Sequence, residues 1–137
     1  MQSLLERLIA EERRLGNGPG PDHRAAFRIC EKLRLPLIAF AGIAGYRSLL
    51  ARALTLARVE APLLAGIEIK PDGSFQFSTD LEARLATAEA DRAGAMLAGQ
   101  LLELLAVFIG EALTFRLVHD VWPRAATTDS KSTGKRP

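Results

Sequence analysis

DRAGAMLAGQLLELLAVFIGEALTFRLVHDVW, residues 91 to 122, is the stretch on which the fold turns. Wound at about 100° per residue, it places Leu97, Leu101, Leu102, Leu104, Leu105, Phe108, Ile109, Leu113, Phe115 and Leu117 on one broad apolar arc. Gln100, Glu103, Glu111 and Thr114 fill most of the rest. A helix resting on a protein surface needs an apolar stripe only a little over about 100° wide. This arc is about twice that, so the helix must be wrapped by its own chain or shared with another. Each Leu or Phe moved out of water contributes roughly 1.5–3 kcal/mol, and a large wet remainder invites aggregation. We therefore expect a long, largely buried C-terminal helix over about 91–122. Part of its arc, carried by Leu97, Leu101, Leu105, Phe108, Ile109 and Phe115, is expected to contact a partner chain.

Upstream, the apolar period continues to read as helix. Leu4, Leu5, Leu8, Ile9 and Leu15 share a face, Ser3 with Glu6 spells a capping box, and Gly16 supplies a stop. The segment Gly16–Pro21 reads as a loop. Asp22 is placed to cap a second helix reaching about Arg34, with Ala26, Phe27, Ile29, Cys30 and Leu33 inward. Pro36 should end or kink it. A third helix is expected from about Leu37 to Val59. Its buried arc is Ile43, Tyr46, Leu49, Leu50, Ala53, Leu54 and Ala57, with Gly42 and Gly45 marking a bend or a close approach.

The period then changes to two. Ile67-Glu68-Ile69 and Phe75-Gln76-Phe77 alternate, and Lys70-Pro71-Asp72-Gly73-Ser74 between them is turn chemistry. That predicts a small β-hairpin over about 67–77. A cap at Thr79 or Asp80 opens a short helix through Leu81 and Leu85, and Asp91 is expected to cap the last one. The fold class is thus mainly α: one helical domain over 1–123, built as a bundle of four to five helices with an inserted hairpin. A disordered basic and polar tail is expected over 124–137.

The chain of 137 residues has a net charge of +2. The tail alone contributes +3, from Arg124, Lys131, Lys135 and Arg136 against Asp129, so the body is left at −1. Basicity therefore does not describe the folded part. Arginine outnumbers lysine 14 to 4, a bias that suits a GC-rich bacterial genome. The single cysteine, Cys30, allows no intrachain disulfide and fits a reducing cytosol. The N-terminal residues read as neither a leader nor a span. The apolar run 94–118 carries Glu103, Glu111 and Arg116, which argues against membrane insertion.

The chemistry-bearing residues do not converge. Glu103 and Glu111 lie about 12 Å apart along one helix, too far for a paired-carboxylate site on that helix. Ion pairs with Arg47 or Arg58 on a neighbouring helix are the simpler expectation. His119 and Asp120 point apart, and His119 suits a helix C-terminus. Cys30 sits on an apolar face, far from a base. No metal, cofactor or catalytic set is expected. Arg24, Arg28 and Lys32 recur at i, i+4, i+8 and form the best candidate for contact with nucleic acid or another polyanion. Phe40, Tyr46, Phe108 and Phe115 are the residues that would hold an apolar small molecule in the bundle. The preferred reading is a non-catalytic bacterial cytosolic protein working by helix-mediated association, with a homodimer favoured. Polyanion binding and small-ligand carriage are the alternatives.

Overall fold

The computed structural model describes residues 2–15, 25–85 and 87–123. The 16–24 segment, with the expected loop, the Asp22 cap and Arg24, lies outside them, as does the tail from Arg124. Five helices and one hairpin follow in order: α1 (Gln2–Leu15), α2 (Ala25–Glu60), a 3-10 turn (Pro62–Gly66), β1 (Ile67–Ile69), β2 (Phe75–Phe77), α3 (Thr79–Ala83), α4 (Ala88–Ile109) and α5 (Glu111–Val121). The chain is a mainly α bundle with a small antiparallel hairpin.

In α1, Leu4, Leu5 and Leu8 lie on one face and are buried. The helix is already formed ahead of Ser3, so the expected capping box is absent. The Ser3 hydroxyl instead accepts from Arg7 Nη1 at 3.3 Å. The later caps are Ser78, whose Oγ accepts from the Leu81 amide, and Thr87, whose Oγ1 accepts from the Ala90 amide, both at 3.1 Å. They replace the Thr79 or Asp80 and Asp91 of the sequence reading.

The larger corrections concern where helices break. Pro36 lies inside α2 and does not end it; the break falls at Gly42, one of the two glycines expected to mark a bend or a close approach, with φ 82° and ψ 162°. There the chain folds back. The Tyr46 hydroxyl lies 3.5 Å from the Cys30 carbonyl, whereas a straight helix would separate those residues by about 24 Å. The same happens at Gly110, with φ 91° and ψ 156°, so the expected single rod over 91–122 is two helices. Both glycines occupy a backbone region essentially closed to other residues. A Cβ at either would meet nothing within 4 Å, so torsion and not packing demands glycine there.

The arms pack as an up-and-down set. Gly94 of α4 lies against Ala26 and Phe27, and Gly99 against Leu5, so α4 rises beside residues 25–41. Near its other end, Phe108 shares a groove with Phe40. Residues 43–60 descend to bring Glu60 and Pro62 beside Glu89 and Met96. α5 descends as well, taking Leu113 to Phe40 and Trp122 to Glu12. Both glycine reversals therefore lie at the same end of the bundle.

The hairpin pairs Ile67 with Phe77 and Ile69 with Phe75. Its turn is closed by the Lys70 amide donating to the Ser74 carbonyl at 2.8 Å, and by Asp72 Oδ1 accepting from the Ser74 amide and hydroxyl. Phe27 holds it to the bundle, its ring edge-on to Phe77 at 5.2 Å and to Phe75 at 6.1 Å. Gly73 is doubly required: its φ is 87°, and a Cβ would lie 2.8 Å from the Tyr46 ring.

Candidate functional site

The apolar surplus of the C-terminal segment divides within α4, before its glycine is reached. Leu97, Leu101 and Leu105, expected as partner contacts, are fully buried in this chain's own core. Phe108 and its neighbour Val107 are not: they are 64% and 84% exposed. Ile109 is partly buried, and Phe115 and Leu113 remain exposed on α5. From the other reversal come Phe40, 53% exposed, and Ile43, which the sequence reading had placed in the core. The break also moves Thr114 off the polar strip. It is buried, and its hydroxyl donates to the Gly110 carbonyl at 2.8 Å.

Phe40 organises this surface. One groove beside it is lined by Phe108, Leu105, Tyr46, Ser48 and Arg52. The other is lined by Pro36, Ala39, Leu113, Arg116, Leu117 and Asp120. The Phe108 groove measures about 240 Å³ and the Leu113 groove about 370 Å³, below and at the lower end of the about 300–1,000 Å³ usual for a small-molecule pocket. Of the four aromatics read as a ligand cage, Tyr46 is in the core while Phe40, Phe108 and Phe115 face water. Phe40 and Phe108 each stand two residues ahead of a reversing glycine, Phe40-Ala41-Gly42 and Phe108-Ile109-Gly110. That repeated spacing was the available sequence signal for this surface.

At the far end of α5 lies a polar centre that sequence reasoning missed. Glu12 follows Leu8 by one helical turn, on the apolar face of α1, and is fully buried. Its carboxylate accepts from Lys32 Nζ at 2.6 Å, Arg28 Nε at 2.9 Å and Trp122 Nε1 at 2.7 Å. Arg28 Nη2 also donates to the Glu12 carbonyl at 2.7 Å. Burial by itself would raise the Glu12 carboxyl. The hydrogen bonds from Lys32, Trp122 and Arg28 outweigh it and hold the group below its ordinary value. Two members of the basic stripe, Arg28 and Lys32, are thus turned onto a carboxylate of the same chain. Arg24 lies outside the described residues.

The remaining candidates stay apart. Arg58 donates to the Leu64 and Ile67 carbonyls, at 3.3 and 2.9 Å, and tethers the turn into β1. Arg47, Glu103 and Glu111 are exposed, and among the described residues no ion pair joins them to one another or to Arg58. His119 and Asp120 are exposed as well. Burial, with the nearby Glu31 charge, pushes the Cys30 thiol up to about 12, so it stays protonated and packs as a small apolar group. Burial also raises the Tyr46 phenol. Among the described residues no three His, Cys, Asp or Glu side chains gather as a metal would need.

By length and composition α2 and α4 are apolar enough to cross a membrane. In the fold, α2 doubles back at Gly42 and α4 places Leu97, Leu101 and Leu105 in the core. The chain matches no known protein family, no characterised protein and no solved structure.

Proposed function

We propose that this protein is a non-catalytic association module of the bacterial cytosol, and that it binds protein through the apolar surface around Phe40 and Phe108. One observation supports this above the rest. Six large apolar side chains, Phe40, Ile43, Val107, Phe108, Leu113 and Phe115, are exposed at or beside the two glycine reversals. At up to about 200 Å² for a whole side chain of this size, their exposed fractions leave roughly 600 Å² in water. Phe40, Phe108 and Leu113, which share the two grooves, account for about half of it, already the size of the largest patch on an ordinary monomer, about 300–600 Å², and patches of that size commonly have a function.

Polyanion binding gains less support, because Arg28 and Lys32 already answer Glu12. A photo-crosslinking amino acid at position 108, compared with one at the exposed Glu82, tests the association reading in cells. A discrete protein adduct from position 108 alone is expected. Equal or absent labelling at the two positions would sink it.

A further inference from the structure

The geometry points to a second copy of this chain as the occupant of the Phe40 surface. This inference rests on the association reading above and names its partner. Its first support is shape. Phe40 projects between two open grooves, one toward Phe108 and one toward Leu113. A surface holding a projecting ring beside apolar grooves complements itself, because a two-fold axis presents the ring of each copy to a groove of the other.

The second support is area. A standard interface covers about 800 Å² on each partner, and in homodimers about 65% of it is apolar. The apolar share is then about 520 Å²; Phe40, Phe108 and Leu113 in the two grooves offer about 300 Å² of it, and Ile43, Val107 and Phe115 at or beside the reversals offer about as much again. The third is charge. Arg116 and Asp120 stand one helical turn apart on the rim of the Leu113 groove. Both are exposed, and neither pairs with a described residue. A two-fold contact sets Arg116 of each copy against Asp120 of the other, which makes two opposite-charge pairs from one surface.

A bilayer fits this surface less well. Anionic lipid draws uniformly basic rims, whereas the charges here are mixed: Arg52 and Arg116 line the grooves with Asp120, and Glu103 and Glu111 are exposed on either side of Phe108 in sequence. Helix ends leave carbonyls without intrahelical partners, and hydrocarbon cannot satisfy them.

Light scattering coupled to size exclusion, run on the full chain across a dilution series, reads the outcome. The wild type should approach twice the 14.8 kDa of the chain at high concentration. Arg116→Asp and Asp120→Arg should each weaken association on the order of tenfold, since each places like charges together twice. Mixing the two variants should restore it, because the hybrid again holds two opposite-charge pairs. Circular dichroism checks that both variants stay folded, as expected for exposed sites.

A wild type that is monomeric at every concentration overturns the inference. If position 108 still crosslinks to a different protein, the association reading survives without the self-partner. A dimer indifferent to both charge variants and to Phe40→Ser would lie elsewhere on the chain and also overturns it. Flotation of a monomeric wild type with phosphatidylcholine–phosphatidylglycerol vesicles would place the surface on lipid and overturn both readings.

Discussion

The two ends of α5 are built on opposite terms. Near Trp122, a carboxylate sits in the core and accepts hydrogen bonds from two cations and an indole. Near Gly110, the chain turns twice on glycine and leaves phenylalanine rings in water. One end is a polar centre closed in on itself; the other is an apolar surface left open. A buried charge is costly unless it is answered, so the closed end must be completed within the chain. A ring that is as wet in the folded chain as in the unfolded one adds little to the fold's stability, so the open end can be completed by another surface. Substitutions at the closed end should therefore cost stability, while those at the open end should cost association.

The largest effect is expected from Glu12→Ala. Removing one partner from a buried ion pair typically costs about 3–5 kcal/mol, here moderated because Arg28 and Lys32 are part-exposed. Chemical denaturation should show the loss. A change below about 1 kcal/mol would mean that the closed end is not a stability centre. The same group sets an acid dependence. Its folded-state value is lowered, so the stabilisation it brings is complete above the ordinary glutamate value of 4.5 and is lost as pH falls through the lower folded value. Denaturation midpoints should fall in acid below 4.5, and less steeply in Glu12→Ala than in the wild type.

Next come the reversals. Gly42→Ala and Gly110→Ala should each cost about 1–3 kcal/mol, the strain of a side-chain-bearing residue held in that backbone region. Neither site offers a steric clash, so unaltered thermal unfolding in both variants would refute the torsional reading of these turns. The smallest effect on stability is expected at the open end. Phe40→Ser should cost only about 1 kcal/mol, the contribution of the half of the ring that is buried, while reducing association. A large loss of stability would show that Phe40 belongs to the core and would erase the contrast between the ends.

Much of the fold could be read before any coordinates. The helical period of 97–105 marked Leu97, Leu101 and Leu105 as side chains that must be covered, but the cover is this chain's own core and not the partner chain expected from the sequence. The alternation at 67–69 and 75–77, with Asp72-Gly73 between, carried the hairpin, because turn chemistry and period two are local properties. The breaks were harder. Proline at 36 carries a strong local penalty and glycine at 42 or 110 a mild one of about 1 kcal/mol, so local reasoning ranks them in the wrong order. Burial gained by folding one arm against another reverses that ranking. The Arg28 and Lys32 stripe was legible as a spacing, but its direction was not, since the carboxylate that receives it is 16 residues or more away in sequence. Glu12 itself shows only as a charge one turn beyond Leu8 on an apolar face.

Taken alone, the sequence determined that this chain is helical, that it carries a hairpin, and that its last segment has more apolar circumference than a surface helix can hide. Those properties follow from period, turn residues and composition, each read over a few neighbouring positions. Only the tertiary structure decided where the long segments turn, which part of the apolar surplus the chain covers for itself, and that Arg28 and Lys32 answer a carboxylate of the same chain. Those outcomes depend on which distant surfaces come together, and the free energy of that burial belongs to the pair of surfaces and to neither stretch of sequence by itself.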